Sequence, residues 1–67
     1  MTPAEIERTV NRQMFQKKMT AADLAKRAGV GVNTIYHYQN TKNIHLDTLL
    51  LLCWALGMEI TVREKGK

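Results

Sequence analysis

Thr20–Gly57 reads TAADLAKRAGVGVNTIYHYQNTKNIHLDTLLLLCWALG, and this stretch decides the fold. Thr20 followed three residues later by Asp23 is an acidic capping box, so a helix starts there. Leu24, Ala25 and Ala28 give it one apolar face. Gly29 stops it, because a helix end in the left-handed region is cheap only for glycine. Val30-Gly31 makes a tight turn. A second short helix then runs from Val32 to Gln39 or Asn40, with Ile35 and Tyr38 pointing inward. Its Val, Asn, Thr, Ile, Tyr and His are middling helix formers, so tertiary packing must hold it. A third helix follows Asn43-Ile44-His45 and continues to Leu56, with Gly57 as its stop.

Working outward, the segment before Thr20 predicts another helix, from Thr2 or Pro3 to Lys17 or Lys18. Thr2 and Glu5 form a capping box around Pro3. Ile6, Val10 and Met14, with Phe15 beside them, make an apolar face. Lys17 and Lys18 suit the negative end of the helix dipole. The last helix carries more apolar residues than one face requires. Leu46, Leu49, Leu52, Cys53 and Leu56 form a stripe for the core. Leu50, Leu51 and Trp54 form a second, continued by Met58, and in so small a chain the second has nothing internal to cover it. Met58 to Arg63 alternates apolar and polar residues like a half-buried strand. No other strand candidate exists, so its partner is the same strand of a second copy, antiparallel across a two-fold axis near Thr61. Glu64 to Lys67 is a charged, frayed end.

These readings give an all-α fold of four helices over residues 1–57, and a strand with a charged tail over 58–67 that pairs between protomers. With 67 residues there is room for one small core, worth only about 3–5 kcal/mol. A single cysteine, Cys53, cannot form an internal disulfide, and it points to a reducing, cytoplasmic compartment. No apolar run reaches the ~20 residues of a membrane span. The two histidines and Cys53 form no ligand set, so neither metal nor cofactor is expected. The chain lacks a nucleophile–base pair or paired carboxylates at a useful spacing and is too short for a deep pocket, which argues against an enzyme. Ten Lys/Arg against six Asp/Glu leave a net charge of +4, suited to a polyanionic partner, with Lys17, Lys18, Lys26 and Arg27 setting the field.

T-x-x-D-L-A-x-x-A-G-V, then T-I-x-x-Y, then L-D-T-L-L-x-L-x-x-A-L-G resembles the phage repressor and Cro family of helix-turn-helix proteins, also called the xenobiotic-response-element type. The resemblance runs from Val10 to Gly57. The tail is similar to that of a subgroup, including antitoxin-type repressors, with a dimerising C-terminal strand. It implies a prokaryotic or phage repressor binding double-stranded DNA as a homodimer. A second reading on the same fold is an antitoxin or adaptor whose partner is a toxin or other protein.

Carried over by position, the resemblance makes Gly31, Val32, Asn33, Tyr36 and His37 the base readers. It makes Thr20, Ala21, Asn40, Thr41 and Lys42 the phosphate contacts. Ala21 stands where the family usually has glutamine, and Gly31 where serine is common. A frequent ion pair between the first and third helices falls on Met14 and Gln39, which cannot pair by charge. Leu51 and Trp54 replace solvated positions of the last helix. With Leu50, Met58, Ile60 and Val62 they form the expected dimer interface. The chemistry of the second short helix agrees: its outer face holds no acid, Asn33 can pair bidentately with adenine, Val32 can touch a thymine methyl, and His37 can donate to guanine or phosphate.

Overall fold

A computed structural model describes residues 2–61 of the chain. They form four helices: α1 (Pro3–Gln16), α2 (Ala21–Ala28), α3 (Val32–Thr41) and α4 (Leu46–Ala55). Both predicted capping boxes form. The Thr2 hydroxyl accepts from the Glu5 N–H at 3.2 Å while the Glu5 carboxylate accepts from the Thr2 N–H at 3.1 Å. Thr20 and Asp23 do the same at 3.1 and 3.0 Å. In each case the hydrogen bonds to Thr, through side chain and backbone, hold the carboxyl below its ordinary value.

The helix ends follow from their hydrogen bonds. Gly29, at φ 77°, closes α2, and its N–H and that of Val30 both donate to the Ala25 carbonyl. α4 ends in a Schellman motif: Gly57, at φ 71°, donates to the Trp54 carbonyl and Met58 to that of Cys53, at 3.1 and 2.8 Å. That motif brings its last residue back onto the helix. Met58 is accordingly half-buried against the core, a correction to its placement wholly on the outer stripe. α1 closes the same way, with Lys18 rather than glycine at φ 56° and Met19 folded onto the core.

Val10, Met14, Leu24, Ile35, Tyr38, Leu52 and Leu56 are the larger members of one core, and α2 packs on both α3 and α4. Two expected core residues lie outside it. Phe15 is 84% exposed, being about 100° around the helix from Met14 and farther still from Val10. Leu46 is 63% exposed. It stands at i, i+4, i+8 with Leu50 and Trp54, beside Leu49 but turned away from Leu52 and Leu56, so it joins the outer stripe. Among the described residues there is no strand: Met58–Thr61 carries no ladder, and Val62 and the end expected to fray, 64–67, lie outside the described residues. No helix among those described is long and apolar enough to cross a membrane.

Candidate nucleic-acid interface

α3 is positioned from behind by Ile35 and Tyr38, which are 1% and 2% exposed. Fixing these two turns Asn33, Tyr36, His37 and Asn40, at i, i+3, i+4, i+7, to the opposite face, where all four are exposed. None is acidic, and α3 contains no Asp or Glu. The approach of a polyanion therefore meets no fixed negative charge on this helix. Val32 departs from expectation: it is half-buried and packs against the core, because it lies on the flank that α3 shares with its neighbours. Gly31 is the N-cap of α3 and makes no side-chain cap. Its φ of −74° is open to any residue.

The expected phosphate contacts divide. Thr20 spends its hydroxyl on the α2 cap. Ala21 is half-buried on the core and has only its backbone N–H to offer. The Thr41 hydroxyl donates to the His37 carbonyl at 2.9 Å and accepts from the Asn43 N–H at 3.1 Å, which fixes the loop after α3. Asn40 is exposed. Lys42, left-handed at φ 58°, turns its ammonium back: Nζ donates to the Gln39 carbonyl at 2.7 Å and lies 3.7 Å from the Glu7 carboxylate.

Glu7 is the residue that sequence reasoning missed. It is the one buried charged side chain among the described residues. It accepts from the Asn11 amide, and Asn11 in turn accepts from Gln39 at 3.2 Å. Glu7, Asn11, Gln39 and Lys42 thus tie α1 to the end of α3. Met14 and Gln39, which cannot pair by charge, do not form the tie; Gln39 bonds Asn11 instead, and Met14 lies in the core. A Glu one turn before Asn on the flank of an apolar face was the available signal.

A second missed feature is an open cleft of about 410 Å³ between α3 and the start of α4, lined by Thr34, His37, Asn43, Ile44, His45 and Thr48. It brings His37 beside the loop that follows α3, on the same side as the exposed face.

Neither the curated proteins nor the solved structures contain a match to this chain. The Cro/C1-type HTH DNA-binding domain matches residues 9–61, which takes in α2, the turn, α3, α4 and most of α1. The tight glycine turn between α2 and α3, the acid-free outer face of α3 and this match agree, and the chain belongs to the Cro/C1-type helix-turn-helix DNA-binding domain family.

Proposed function

We propose that the chain is a transcriptional repressor that binds a palindromic operator as a homodimer and acts by occluding a promoter. The observation that carries this reading is the outer face of α3: Asn33, Tyr36, His37 and Asn40 exposed together on a helix without acids. In this assignment Gly31, Val32, Asn33 and Tyr36 meet base edges, and His37 stands where base contacts pass into backbone contacts. Ala21, through its N–H, with Thr20, Asn40, Thr41 and Lys42, faces phosphates. Lys42 keeps donors free for this beyond its bonds to Gln39 and Glu7.

Residues 1–57 are the DNA-binding unit and 58–67 the dimerising tail. Leu46, Leu50, Leu51 and Trp54 supply an apolar surface, and each is at least 44% exposed in the single chain. A second copy covers it around a two-fold axis, with Ile60 and Val62 pairing antiparallel beside it. Such a dimer suits half-sites about 34–36 Å apart.

The test is Asn33→Ala against operator and mixed-sequence DNA. Operator binding should weaken by about 1–3 kcal/mol, the worth of a good bidentate base contact, with mixed-sequence binding unchanged. Equal losses on both would remove α3 as the reader.

A further inference from the structure

The cleft beside α3 has a composition that the reading of α3 alone does not use. Its walls bring together the only two histidines of the chain, His37 from α3 and His45 from the residue capping α4, with the hydroxyls of Thr34 and Thr48. His45 makes no cap to α4. Both histidines are exposed. No carboxylate lines the cleft.

We propose that this cleft seats a phosphodiester of the DNA backbone, with His37 and His45 as its imidazolium donors, so that binding takes up protons. This rests on the reading of the chain as a DNA-binding protein. An imidazole is the side chain whose ordinary titration falls between about pH 5 and 8. Bringing a phosphate between two of them favours the protonated form of each, because the anion attracts imidazolium and both ring nitrogens then donate. The charged groups on the surrounding elements stand outside the lining: Lys42 at the end of α3, held by Glu7 of α1, Asp47 in the first turn of α4, and Asp23, Lys26 and Arg27 on α2. The cleft lining therefore supplies no carboxylate to compete with a phosphate for the two rings.

The sign follows. Each histidine binds its proton more tightly in the complex than in the free chain. Affinity is highest at the acid end, where both rings carry a proton, and falls as pH rises. Because phosphates are common to all sequences, the dependence appears on any duplex.

The experiment is a fluorescence-anisotropy titration of the full chain, at constant ionic strength, against two labelled duplexes of unrelated mixed sequence. The same titration is run on His37→Gln, His45→Gln and the double variant. Glutamine keeps a hydrogen-bond donor and cannot be charged. Wild type should lose about tenfold in affinity or more between roughly pH 6 and 8 on both duplexes. Each single variant should lose part of that dependence and the double variant all of it. A double variant as pH-dependent as wild type overturns the proposal. So does binding that is flat with pH in wild type, and that outcome leaves the DNA-binding reading standing. Absence of binding to any duplex at every pH overturns both.

Discussion

Tyr38 shows how one residue joins the core to the interface. It is buried behind the exposed face of α3, and this burial, then the nearby charge of Glu7 and the Cys53 thiol, push its phenol up from 10.0 to about 12. The folded chain therefore keeps the proton that the unfolded chain releases above pH 10, and stability falls with rising pH from about 10 to about 12. Urea titrations across that window should show wild type losing stability that Tyr38→Phe retains. Equal pH profiles would mean that the phenol is not desolvated. Most residues of this kind were legible in the sequence. Ile35 and Tyr38 are fixed by their spacing, and Leu24, Ala25 and Ala28 by the helix period. Phe15 and Leu46 were not. Each is apolar and lies next to a true core residue, and periodicity alone does not say where a face of the helix ends.

At the scale of the element, what fixes α3 is its fastening at both ends. The turn at Gly29–Gly31 sets the start. The ring of Glu7, Asn11, Gln39 and Lys42 holds the finish against α1. Glu7→Ala removes a buried acceptor and takes one partner each from Asn11 and Lys42, which keep only their bonds to Gln39. It should cost about 1–3 kcal/mol in stability, read by urea unfolding. A stability unchanged by that substitution would show the ring to be a surface ornament of the fold. Helix starts were legible because Thr2–Glu5 and Thr20–Asp23 are local signals. The end of α1 was less so: the chain closes at Gln16 with Lys18 in the left-handed region, where a glycine would have announced the stop. The ring joins residues 28 positions apart through Asn11 and Gln39, a pairing that no local pattern encodes.

For the whole molecule, the unresolved demand is the outer side of α4. Trp54 is 70% exposed, and Leu46, Leu50 and Leu51 stand around it. Burying side chains of this size is worth about 1.5–3 kcal/mol each, comparable to the small core itself, so folding and dimerisation should be coupled. Trp54→Lys should give a monomer in sedimentation whose melting temperature is lower and independent of concentration. A dimer of unaltered strength would place the interface elsewhere. The excess of leucines in α4 made this surface legible in the sequence. The alternation at Ile60 and Val62 was legible only as a pattern: Ile60 lies in no strand among the described residues, and Val62 lies outside them.

The central claim is that α3 reads a two-fold symmetric DNA site. Selection of bound sequences from random duplexes tests it most directly. The account predicts enrichment of an inverted repeat whose half-site centres lie about 10–10.5 base pairs apart, one helical turn. Its affinity should fall with salt at a log–log slope of about −0.9 per phosphate contacted. Recovery of no common sequence after repeated rounds, with binding indifferent to salt, would contradict it.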